Sequence, residues 1–179
     1  YWLGYLIEKA EYSNLDKFTV IFSDPEVNQM NKFLDAIKYS DKSQVKKMDW
    51  TKYVSYKITF TSKQFCDGLN KNKILPLENK HYNSYLLGIM DSSGNFNIHG
   101  KEYRIHFYVQ RDVCDSIKRF LSSKEITFTE YNYKQKNNNL DLCITGNDQI
   151  RKLSGLLYPG NECFYDEENY KVYTKLVSR

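Results

Sequence analysis

No stretch of this chain approaches the roughly 20 consecutive apolar residues that a membrane-spanning helix requires, so no membrane partner is expected. No charged segment followed by an apolar core opens it, so a secretory leader is not expected either, and the anticipated location is intracellular. Beginning at Tyr1 instead of Met, the sequence reads as a fragment or a processed product. Cysteine is sparse: Cys66, Cys114, Cys143 and Cys163 lie far apart and form no Cys-x-x-Cys pair, which argues against a zinc site or a dithiol redox centre. Buried thiols in a reducing compartment are the expectation. The three histidines, His81, His99 and His106, are not spaced like metal ligands. Charge of one sign is also modest, since a net charge of +4 permits a nucleic-acid partner without demanding one. What is present is a chain of 179 residues, 41% hydrophobic, long enough for one sizeable core or two small fused ones without disulfides or metals.

The order of the sequence is more informative than its composition, because it repeats. Tyr1-Trp-Leu-Gly-Tyr-Leu-Ile7 resembles Tyr85-Leu-Leu-Gly-Ile-Met-Asp91, which sets Gly4 and Gly88 84 positions apart. Asn31-Lys-Phe-Leu34 matches Lys118-Arg-Phe-Leu121, and Thr59-Phe-Thr61 matches Cys143-Ile-Thr145, in the same order and at nearly the same offset. The expected division is a first repeat over residues 1–75, a linker over 76–84 and a second repeat over 85–179.

Each half reads as a short apolar helix, strands, a helix, further strands and a closing helix. Ile105, Phe107 and Val109 alternate with Arg104, His106, Tyr108 and Gln110, the period of a strand with one buried and one polar face. Val113, Ile117, Phe120 and Leu121 fall on one helical face, as do Ile150, Leu153, Leu156 and Leu157, and Leu140, Leu142 and Ile144 alternate as a strand. In the first half Phe18, Val20 and Phe22 make a strand, and Asp24-Pro25 opens a helix as N-cap and first-turn proline. Val27, Met30, Phe33, Leu34 and Ile37 give that helix its apolar face. Tyr56, Ile58 and Phe60 form the next strand, and a helix through Phe65 and Leu69 ends before Pro76.

Leu3-Gly-Tyr-Leu-Ile-Glu-Lys-Ala10 and Leu87-Gly-Ile-Met-Asp-Ser-Ser-Gly94 resemble the LAGLIDADG motif of the homing endonucleases. Ser62-Lys-Gln-Phe-Cys-Asp-Gly-Leu69 with Ile74-Leu-Pro76 is similar to the lead-in to the second motif of single-chain members, and Gly94-Asn-Phe96 to the opening of a repeat's first strand. The resemblance spans nearly the whole chain. It implies an α/β (α+β) fold: a pseudo-two-fold pair of repeats with saddle-shaped antiparallel sheets, whose motif helices pack closely at Gly4 and Gly88.

Five residues after each motif glycine the family places a catalytic acid, and those positions hold Lys9 and Ser93. Mg²⁺ is a hard cation held by carboxylate and phosphate oxygens, so an ammonium at one position and a neutral hydroxyl at the other should disable it. Glu8 and Glu11 lie about 100° and 200° around the helix from Lys9 and do not replace the lost acid. The second motif keeps Asp91 and Gly94. No cofactor is therefore expected, with Mg²⁺ relevant only to residual nuclease activity.

The resemblance also implies that the polar strand faces meet nucleic acid, either DNA or structured RNA. The residues concerned are Lys17, Thr19, Ser55, Lys57 and Thr59 in the first half. In the second they are Asn95, Asn97, His99, Arg104, His106, Tyr108 and Gln110. Only Glu11 to Asp16 separate the first motif helix from its next strand, and Gly100 to Glu102 make a tight turn, so the saddle is expected to be short. Lys42 to Lys47 and Lys134 to Lys136 read as solvated basic loops, and Asp166-Glu-Glu168 as an acidic stretch away from nucleic acid. The leading expectation is a nucleic-acid-binding protein derived from a LAGLIDADG endonuclease and lacking nuclease activity. The alternatives are a structural subunit of a ribonucleoprotein such as an organellar ribosome, a maturase-like RNA binder, and an active Mg²⁺-dependent homing endonuclease. The terminal residues of a complete intein are lacking, so self-splicing is not expected.

Overall fold

A computed structural model describes residues 1–14, 17–23, 27–38, 45–49, 54–61, 63–71, 73–132, 139–158 and 165–178. Asp24-Pro25, Lys134 to Lys136 and Cys163 lie outside the described residues. The chain divides into two compact units: a larger one of Tyr1, Leu3–Glu8 and Lys73–Arg179, and a smaller one of Trp2 and Lys9–Asn72. The larger unit thus takes in most of the first motif helix together with everything from Lys73 on.

The smaller unit holds strands β1 (Ala10–Asn14), β2 (Lys17–Ser23), β3 (Val45–Asp49) and β4 (Val54–Thr61), with helices α2 (Val27–Ala36) and α3 (Lys63–Lys71). All neighbours pair antiparallel, in the order β1-β2-β4-β3. Val20 and Ile58 pair in register and are buried with Met30, Phe33, Leu34, Cys66 and Leu69. The Trp2 ring lies 5.3 Å from that of Phe33. Two expectations need correction here. The span after the first motif helix is not a bare connection, because Ala10–Asn14 is a strand. Ala-Glu-Tyr-Ser-Asn has no apolar alternation of its own, and its strand geometry comes from pairing with β2. Lys46 and Lys47 likewise lie on β3 and not in a loop, Lys46 directly opposite Lys57.

The larger unit repeats the plan with strands β5 (Gly94–His99), β6 (Glu102–Gln110), β7 (Thr129–Tyr131) and β8 (Asn139–Thr145), in the order β5-β6-β8-β7. Its helices are α4 (Tyr82–Ser93), α5 (Arg111–Ser123), α6 (Asn147–Leu157) and α7 (Glu167–Val177), together with α1 (Trp2–Lys9), of which Leu3–Glu8 belong here. Gly100, at a φ of 64°, takes the backbone region that side chains disfavour and so allows the two-residue turn between β5 and β6. One face of the sheet carries Phe96, Tyr103, Ile105, Phe107, Val109, Leu140, Leu142 and Ile144 into a core closed by the apolar stripes of α4, α5 and α6. Within that core the Tyr82 and Ser116 hydroxyls pair with one another, 2.9 Å apart.

Helices α1 and α4 approach at their glycines. A methyl group on Gly4 would collide with the Tyr85 carbonyl oxygen, and one on Gly88 with the Tyr1 carbonyl oxygen and the Tyr5 amide. Gly94, which ends α4, is as confined, with the Met90 and His106 carbonyl oxygens 2.6 and 2.7 Å from where a Cβ would stand. These three contacts are with backbone, which cannot swing aside.

Candidate nucleic-acid interface

The face of β5-β6-β8-β7 opposite the helices collects every second-half residue that the sequence assigned to nucleic acid. Cross-strand partners share a face, and the register pairs Asn95 with His106, Asn97 with Arg104 and His99 with Glu102. Continuing to β8, Arg104 pairs with Thr145, His106 with Cys143, Tyr108 with Asp141 and Gln110 with Asn139. On β7, Thr129 and Tyr131 extend the rows of Cys143 and Asp141. Glu130, between them, points the other way and accepts a hydrogen bond from Lys118 of α5 at 3.1 Å.

Sequence reasoning missed the β8 and β7 contributions, above all Asp141 and Cys143. The signal was there, because Asn139, Asp141, Cys143 and Thr145 occupy the alternate positions of the recognised apolar strand. They surround His106: its Nδ1 lies 3.1 and 3.2 Å from the two Asp141 carboxylate oxygens, and Cys143 Sγ lies 3.5 Å from its Nε2. With Nδ1–H donating to the carboxylate, Nε2 accepts from the thiol, so both ring nitrogens are occupied. Burial, and secondarily the Asp141 charge, push the Cys143 thiol upward, which keeps it a neutral donor. Asp141 is only 1% exposed although it lies on the polar face. Elsewhere on that face Arg104 meets Glu102 at 3.4 Å, and the Gln110 side-chain oxygen accepts from Lys73 Nζ at 2.7 Å.

In the smaller unit, Thr19, Ser55, Lys57 and Thr59 also share one face of β2 and β4 by register, while Lys17 starts β2 opposite Thr61. Thr19 and Ser55, at 7% and 3% exposure, are buried within it, and the Thr19 and Thr59 hydroxyls lie 3.1 Å apart. Lys57 beside Lys46 is the cationic part of that face.

The two positions that the motif resemblance matches to acids end their helices alike, Lys9 being the last residue of α1 and Ser93 the last of α4. The Ser93 hydroxyl turns back to donate to the Ile89 carbonyl oxygen at 3.1 Å. Asp91 has a packing role. Its carboxylate accepts from the Tyr1 hydroxyl at 3.0 Å, from the Asp166 backbone N–H at 2.7 Å and from the Asn169 side-chain amide at 2.8 Å. Asp166 in turn caps α7, accepting from the Glu168 and Asn169 backbone N–H groups at 3.0 Å each. The acidic stretch is thus the start of a helix, where negative charge complements the helix dipole, and its first residue is held on the motif helix. Burial outweighs the three donors and raises the Asp91 carboxyl from an ordinary 3.8 to about 7. Burial and the nearby Asp91 charge also raise Tyr1, Tyr5 and Tyr158, and Tyr158 stacks on Tyr173 at 4.8 Å.

This architecture is the LAGLIDADG homing-endonuclease-like α/β fold: four-stranded antiparallel sheets backed by helices, with glycine-packed motif helices. Solved structures similar to it include full-length DUF199/WhiA from Thermatoga maritima, at 16% identity and a TM-score of 0.59, covering 99% of this chain and 58% of that one. The N-terminal LAGLIDADG domain of DUF199/WhiA aligns at 12% identity and a TM-score of 0.59, over 88% of this chain and 80% of that one. The homing endonuclease I-DmoI in complex with DNA and Ca aligns at 14% identity and a TM-score of 0.62, over 96% and 94%. The chain therefore spans little more than half the length of full-length WhiA. No family model matches its sequence, and no curated protein matches it.

Proposed function

We propose that this chain is a LAGLIDADG-derived nucleic-acid-binding protein that does not cleave its target. The observation that carries the reading is the state of the motif-helix ends. The glycines that pack the helices are kept, Lys9 and Ser93 stand where acids would ligate a metal, and Asp91 is hydrogen-bonded by Tyr1, Asp166 and Asn169. A divalent ion needs carboxylate oxygens with free lone pairs and room for its water, whereas Asp91 faces three donors among tyrosine rings. Binding is supported by the polar face on β5-β6-β8-β7 and by I-DmoI, whose structures include complexes with DNA.

A second reading, a structural subunit of a ribonucleoprotein, is favoured by the ion pair between Arg104 and Glu102, which among the described residues of that face takes up the arginine that could meet duplex phosphates. Purifying the endogenous protein at low salt and sequencing the nucleic acid and protein that travel with it separates the two. A defined DNA site supports the first, and a large RNA-containing particle the second. In either case supercoiled plasmid incubated with the protein and Mg²⁺ or Mn²⁺ should stay uncut. Metal-dependent scission that copurifies with the wild-type chain and is lost in Asp91→Ala would refute the loss of cleavage.

A further inference from the structure

We draw no further inference here: the strongest candidate, the Asp141–His106–Cys143 side-chain cluster on the polar face of β5-β6-β8-β7, belongs to the face already described and closes on itself, with both imidazole nitrogens and the thiol paired within it and no group of three metal ligands formed among the described residues.

Discussion

Asp91 shows how a carboxylate of a motif helix can be taken up by packing, since Tyr1, Asp166 and Asn169 all donate to it. Its carboxyl is raised to about 7 from an ordinary 3.8, so the folded chain holds this proton more tightly than the unfolded chain does. The stability it contributes is fully present below about pH 4 and is lost as the pH rises through about 7. Asp91→Asn removes that titration, so the difference in melting temperature between wild type and variant should shrink in the wild type's disfavour from pH 5 to pH 8. Calorimetric melts at those pH values check it, and parallel curves would show that Asp91 ionises normally. The variant should also be less stable throughout, because one of its two side-chain atoms becomes a donor facing the donors of Tyr1, Asp166 and Asn169.

Among the elements, the α1–α4 pair is the most constrained. Gly88→Ala would drive a methyl group into the Tyr1 carbonyl oxygen and the Tyr5 amide, and overpacking of this kind typically costs about 1–3 kcal/mol. Gly155 is a useful contrast: it lies within α6 with nothing inside 4 Å of its missing Cβ. Gly155→Ala should stabilise the chain by about 0.5–1 kcal/mol through the backbone entropy that glycine loses on folding. Urea titrations of both variants should therefore move in opposite directions, and a neutral Gly88→Ala would mean that the helices do not meet at that glycine. The helix pattern and the motif spacing made Gly4 and Gly88 legible in the sequence. The strand character of Ala10–Asn14 was not, since those residues carry no alternation and become a strand by pairing with β2.

For the whole molecule, the net charge of +4 sets an upper scale for electrostatic attraction, and the two sheet faces set how much of it reaches a ligand. The face of the larger unit has its arginine paired to Glu102, while Lys46 and Lys57 lie together on the smaller unit's face. If these faces bind nucleic acid as proposed, affinity should accordingly fall gently with salt, with a log–log slope no steeper than about −3. A slope beyond about −5, measured between 50 and 200 mM salt, would place the phosphate contacts on lysines outside these faces.

The sequence by itself determined the repeat, the order of helices and strands, the glycines of the motif helices, the presence of Lys9 and Ser93 five residues after them, and the polar alternation from Arg104 to Gln110. All of these are local periodicities or fixed spacings, which the geometry of one helix or one strand imposes on its own residues. Tertiary structure alone decided what Asp91 does, because its partners Asp166 and Asn169 lie 75 and 78 residues away and Tyr1 lies 90 away. It also decided that Leu3–Glu8 belong to the larger unit, and that Asp141 and Cys143 close around His106 beneath a polar face. Burial and hydrogen bonding across such separations arise only when strands and helices from distant parts of the chain are brought into register, and no local pattern records them.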